Sequence, residues 1–193
     1  MAHSIGFKKI KTAVFISGKG SNLKSLITFS KVKKSPISIE MIVSNNSKSK
    51  GLTLGKIYKI KSKISNFKKQ TEAENEILKE LRKKKINLIC LAGFMKILSK
   101  NFINKFKGVI LNIHPSLLPK YKGLNTHKRA IKNNDKYSGC TVHFVTSKLD
   151  SGRIINQKKV KINKSDTPKT LAKKVLIQEH KLYPKAILKI FNL

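Results

Sequence analysis

The stretch Thr12-Ala13-Val14-Phe15-Ile16-Ser17-Gly18-Lys19-Gly20-Ser21-Asn22-Leu23 decides the fold. Its first six residues are mostly apolar, without helical spacing, and read as a buried strand. Two glycines then mark a tight turn, and a helix from Ser21 to about Ser30 sets Leu23, Leu26 and Ile27 on one face. A buried strand running through glycines straight into a helix is the repeating unit of a parallel α/β sheet. The unpaired N–H groups at the start of such a helix point at the turn along with its positive end, a geometry suited to an anion. The turn departs from the dinucleotide fingerprint, because Leu23 stands where the third glycine belongs. No Gly-Lys-Ser/Thr closes it as a nucleotide P-loop would. A mononucleotide or sugar phosphate suits it better than NAD or ATP, and a purely structural turn with Ser21 as N-cap remains the alternative.

Further strands are expected over 39–44, 86–92, 109–113, 140–145 and 154–160. Residues 70 to 85 form the clearest helix, with Ile77, Leu78 and Leu81 on its apolar side. Glu72, Glu74, Glu76 and Glu80 read as favourable N-terminal and i,i+4 charges. Asp166-Thr167-Pro168 starts a last helix, with Asp166 as its cap, running through about Ile190. The expected architecture is α/β, a mostly parallel central sheet with helices on both faces, in a single domain over 1–193 whose first ten residues are an appendage.

With 193 residues the chain suits one domain, and its 43 Lys+Arg against 9 Asp+Glu give a net charge of +34. A composition 39% hydrophobic argues against a disordered polycation. No apolar run approaches the roughly 18 residues of a membrane span and no secretory signal opens the chain, so a cytoplasmic protein without membrane association is expected. Only Arg82, Arg129 and Arg153 are arginines. Nucleic-acid sites favour Arg and aromatics, and here Lys is scattered along the whole chain, so no specific nucleic-acid partner is expected. Cys90 and Cys140 lie in apolar segments and read as buried free thiols, and no His or Cys spacing suggests a metal.

Asn112-Ile113-His114-Pro115-Ser116-Leu117-Leu118-Pro119 carries the chemistry. Residues two apart on a strand share a face, so Asn112 and His114 project together. An amide can donate to an oxygen gaining charge, and an imidazole can move protons near neutral pH. Pro115 keeps His114 extended at the carboxyl edge of the sheet, where open α/β sheets bind ligands. A partner carboxylate is sought among few acids. Asp135 reads as a turn residue and Glu40 as the start of a strand, which leaves Asp150 and Glu179. Asp150, in Leu149-Asp150-Ser151-Gly152, follows the strand bearing His143 and can return to the same edge, or simply form the turn.

Together with Leu91-Ala92-Gly93-Phe94-Met95-Lys96-Ile97-Leu98, Thr141-Val142-His143-Phe144-Val145 and Gln178-Glu179-His180, these segments resemble the phosphoribosylglycinamide formyltransferase family from about Thr12 to Ile190. The resemblance implies a Rossmann-like formyltransferase fold, a glycinamide ribonucleotide substrate and 10-formyltetrahydrofolate as formyl donor, with no metal, in a monomer or homodimer. It implies a catalytic set of Asn112, His114 and Asp150, acting on a tetrahedral intermediate formed by direct attack of the substrate amine. It assigns the substrate to Gly20, Ser21, Asn22, Leu23, Lys24 and Glu179, and the folate to Met95, Lys96, Ile97, Leu98 and Asn112.

The match has departures. Lys96 replaces a common Arg, Asn125 a common His, and Leu176 a polar residue. An Arg usual before the charged helix is missing, with Lys68, Lys69 or Gln70 as substitutes. Methionyl-tRNA formyltransferase and formyltetrahydrofolate hydrolase share the chemistry but normally carry an added domain, and a basic nucleic-acid-binding module would need no catalytic set. His143 reads as structural support, and His127 and His180 as packing or surface residues.

Overall fold

A computed structural model describes residues 9–192. In chain order its elements are β1 (Ile10–Ile16), α1 (Ser21–Ser30), β2 (Ile37–Ser44), α2 (Leu52–Ile57), β3 (Ser62–Ile64), α3 (Gln70–Lys83), β4 (Leu88–Leu91), α4 (Lys100–Lys105), β5 (Val109–His114), α5 (Thr126–Lys132), β6 (Tyr137–Phe144), β7 (Ile154–Lys161) and α6 (Pro168–Ile190). One seven-stranded sheet runs in the order β3-β2-β1-β4-β5-β6-β7. Pairing is parallel from β3 to β5, and β6 and β7 join antiparallel. The parallel part forms because each strand is followed by a crossover that returns the chain to the same end of the sheet. The winding direction reverses between β1 and β4, so the loops leaving these two strands diverge and open a crevice at the carboxyl edge.

Each face of the sheet is closed by its own core. On one face Val14, Ile16, Cys90 and Leu111 meet Leu23, Leu26 and Ile27 of α1 and Leu171, Val175, Tyr183 and Ile187 of α6. On the other Ala13, Phe15, Ile89 and Ile110 meet Ile77, Leu78 and Leu81 of α3 and Phe102 of α4. Alternation along the central strands supplies both cores from the same residues in sequence, as expected for a sheet covered on two sides. The hydroxyl of Tyr183 reaches the carbonyls of Leu91 and Leu111, both at 3.1 Å, and ties α6 across β4 and β5. Cys90 and Cys140 are buried free thiols whose pKa values burial pushes up to about 12, well away from a reactive thiolate.

The structure corrects several boundaries. Ile10 already belongs to β1, and the Lys9 ammonium donates to the Ser30 carbonyl at 2.9 Å, so the core reaches into the expected appendage, whose first eight residues lie outside the described ones. Gly20 itself caps α1 with φ 76 and no side-chain cap bond, which makes Ser21 the first helical residue and not the N-cap. Thr167 caps α6 in a reciprocal box with Thr170. Asp166, one residue outside, accepts from Asn163 and Thr170 and pairs with Lys174.

Candidate active site

Asn112 and His114 occupy the last turns of the ladder on β5, on the face that carries Ile110 further back, where the apolar core gives way to polar side chains. The antiparallel register sets His143 of β6 directly opposite Asn112 and Thr141 opposite His114. Cross-strand partners share a face, so His143 joins the pair. Asp150 closes the group from the loop after β6, at φ 45, with Oδ2 3.4 Å from His114 Nδ1 and Oδ1 3.7 Å from His143 Nε2. The Asn112 amide nitrogen faces His143 Nε2 at 3.2 Å and Asp150 Oδ1 at 3.5 Å. Asn112, His114 and Asp150 thus lie together, as the sequence led one to expect. His143, read as structural support, faces the Asn112 amide from the neighbouring strand, a contact that the strand register sets.

The proton positions follow from the partners. His114 Nε2 donates to the Tyr121 carbonyl at 2.8 Å, which leaves Nδ1 toward Asp150. His143 Nδ1 donates to the Phe144 carbonyl at 2.8 Å, which leaves Nε2 to accept from Asn112. Burial lowers the His114 pKa below the usual histidine value. The Tyr121 carbonyl and the Asp150 charge oppose this, and His143 and Arg129 add to it. Burial acts to raise the Asp150 pKa, but the closeness of the His143 and His114 rings and the bond from the Gly123 amide outweigh it and hold the carboxyl below its ordinary value. The Gly123 N–H donates to Asp150 Oδ2 at 2.8 Å and fixes the carboxylate from behind. The resting pair is therefore a neutral imidazole facing a carboxylate.

These groups line a cavity of about 530 Å³. Its other walls are Leu91 and residues 93–98 after β4, 123–127 after the β5 loop, and 145–150 without Ser147. The volume lies within the usual range for a small-molecule site. All five residues assigned to folate by resemblance, Met95, Lys96, Ile97, Leu98 and Asn112, line this cavity. Met95, Lys96 and Ile97 are exposed, whereas Leu98 is buried and anchors the loop in the core beside Phe102.

The turn after β1 forms a separate region, and none of its residues or Glu179 lines that cavity. Gly20 must be glycine: its φ is positive, and a Cβ there would lie 2.7 Å from Gly51 Cα. Lys24 N–H closes onto the Gly20 carbonyl at 2.9 Å, so the amides of Ser21, Asn22 and Leu23 precede the first helical bond. The Leu23 side chain is in the core, and only its amide can serve a ligand; Lys24 is exposed and offers its ammonium. Asn22 Nδ2 donates to Glu179 Oε2 at 2.6 Å across 157 positions, while its buried Oδ1 has no partner among the described residues. Burial raises the Glu179 pKa, partly offset by that bond. Leu176, one turn earlier on α6, is half-buried.

Solved structures share this architecture. Phosphoribosylglycinamide formyltransferase from Brucella melitensis superposes with a TM-score of 0.89 at 41% identity, over 95% of this chain and 96% of that one. The enzyme of the same name from Anaplasma phagocytophilum gives 0.88 at 40% identity, over 93% and 85%. In sequence, the Haemophilus influenzae protein of that name is 41% identical over 180 residues, covering 92% of this chain and 85% of its own. The human trifunctional purine biosynthetic protein adenosine-3 is 41% identical over 183 residues, and the chain spans only 18% of its length. With the formyl transferase family model matching residues 10–187 as well, the chain belongs to the formyl transferase family.

Proposed function

We propose that the chain transfers the formyl group of 10-formyltetrahydrofolate to the primary amine of glycinamide ribonucleotide. The observation that carries this reading is the Asn112, His114 and Asp150 cluster on the wall of a cavity shared with Met95–Leu98. The apolar residues Leu91, Ile97, Val145 and Leu149 on the cavity wall suit the flat face of a pterin. The amides of Ser21, Asn22 and Leu23, with the Lys24 ammonium, suit the substrate phosphate. Relatives bearing the formyltransferase name align over most of their own length, which supports the choice of acceptor.

The folate supplies an activated formyl carbon, and the chain's residues handle charge and protons. As the amine adds, the formyl oxygen gains negative charge and the nitrogen positive. We assign that oxygen to the Asn112 amide, which His143 orients and whose longer contact, 3.5 Å to Asp150 Oδ1, is the one an incoming oxyanion would replace. His114 accepts the surplus amine proton on Nδ1, and Asp150 pairs with the imidazolium so formed. The same proton is then available to the departing folate nitrogen. Because Nε2–H is committed to Tyr121, the proton must move at Nδ1.

The test is an assay of deformylated folate with and without glycinamide ribonucleotide. Acceptor-dependent turnover is expected, and Asn112→Ala should lose roughly 10²- to 10³-fold in kcat while remaining folded by circular dichroism. Turnover that ignores the acceptor would make the protein a hydrolase. Salt-sensitive DNA binding that survives His114→Ala, with no formyl transfer, would make it a nucleic-acid-binding module.

A further inference from the structure

We propose that Gln70 and Glu74 act as positioning residues that clamp the loop Met95–Ser99 and so hold the folate wall of the cavity in its binding shape. The proposal rests on the folate reading of that wall.

Glu74 reads in sequence as one of four favourable N-terminal and i,i+4 charges on α3. In the structure it is 3% exposed. Its Oε1 accepts the Ser99 N–H at 2.8 Å and the Gln70 side-chain N–H at 2.8 Å, and its Oε2 accepts the Ser99 hydroxyl. The Gln70 amide nitrogen donates a second bond, 2.9 Å, to the Ile97 carbonyl. Ser99 Oγ in turn accepts the Phe102 N–H at 3.0 Å as the cap of α4. One buried carboxylate therefore gathers the end of the loop, the start of a helix and the side chain that grips the loop's middle. At its other end the loop is held by the Met95 N–H, which donates to Ser17 Oγ at 2.7 Å. Between these ties, Met95, Lys96 and Ile97 have no regular secondary structure and exposed side chains. An irregular segment with apolar side chains in water collapses or wanders unless its backbone is pinned, and ordering it before binding lowers the cost of binding. Gln70 stands among the residues offered in place of the missing Arg, and its amide is engaged in the clamp. It acts on the folate through Ile97.

Two measurements test this. In steady-state kinetics, Gln70→Ala should raise the KM for 10-formyltetrahydrofolate two- to fivefold and Glu74→Ala about tenfold or more. The KM for glycinamide ribonucleotide should stay within twofold and kcat within threefold. Glu74→Gln, which keeps one acceptor for the Ser99 N–H, should fall between wild type and Glu74→Ala. In hydrogen exchange on the protein without ligand, both Gln70→Ala and Glu74→Gln should speed exchange over 95–99 and leave β4 unchanged. Equal rises in both KM values, an unchanged folate KM in Gln70→Ala, or unchanged exchange in the loop would overturn the clamp. Absence of transfer by the wild type would overturn the functional reading alone, and the exchange experiment would then decide the clamp by itself.

Discussion

His114 is 6% exposed, and that burial decides its working state. Its charged form is penalised more than the Tyr121 carbonyl and the Asp150 carboxylate favour it, so its pKa lies below the usual 6.5 and the ring is neutral at pH 7. A neutral ring suits proton acceptance from the attacking amine. The acidic limb of kcat/KM should therefore fall below pH 6.5, where His114 becomes protonated before the substrate arrives. Asp150→Asn removes an attraction that raises the His114 pKa, so in that variant the limb should move to still lower pH while the maximal rate falls. A pH–rate profile of both proteins checks the sign. A limb displaced upward by Asp150→Asn would mean that the carboxylate does not face the titrating group.

At the scale of elements, the turn between β1 and α1 depends on one backbone conformation. A side chain at Gly20 would face both the penalty of φ 76 and the backbone of Gly51. Gly20→Ala should lower stability by roughly 1–3 kcal/mol and raise the KM for glycinamide ribonucleotide at least tenfold, with the folate KM within twofold. Denaturant unfolding and steady-state kinetics check both. This turn was legible because strand, glycine pair and helix are contiguous in the chain; α1 and α3 were legible from their apolar spacing, and α6 from its Asp-Thr-Pro start. The short α2, β3 and α4 have six residues or fewer and show no period. Asn112 and His114 were legible as an i,i+2 pair, but His143 needed the β5–β6 register. Glu74 looked like its neighbours on α3, since only a loop 25 residues away reveals its burial, and the bond between Asn22 and Glu179 has no local signature at all.

For the molecule as a whole, burial sharpens the meaning of the +34 charge. Glu74, Asp150 and Glu179 are buried in the interior, so three of the 9 acidic residues contribute little to balancing the surface. Among the described residues the surface ion pairs are few, such as Lys63 with Glu76 and Lys120 with Asp135, and they leave most lysines unneutralised. The resulting field attracts anions over a distance set by the Debye length, about 8 Å at physiological ionic strength. Both proposed ligands are anionic, one through its phosphate and the other through its glutamate carboxylates. Capture should therefore weaken with salt while the chemistry, shielded in the cavity, does not. Raising NaCl from about 20 to 300 mM should lower kcat/KM for both substrates severalfold and leave kcat nearly constant. Steady-state kinetics across that range, with NaCl and potassium acetate compared to exclude competition by one anion, measure the effect. A kcat that falls with salt while kcat/KM holds would show that the field acts on the reacting groups and not on encounter.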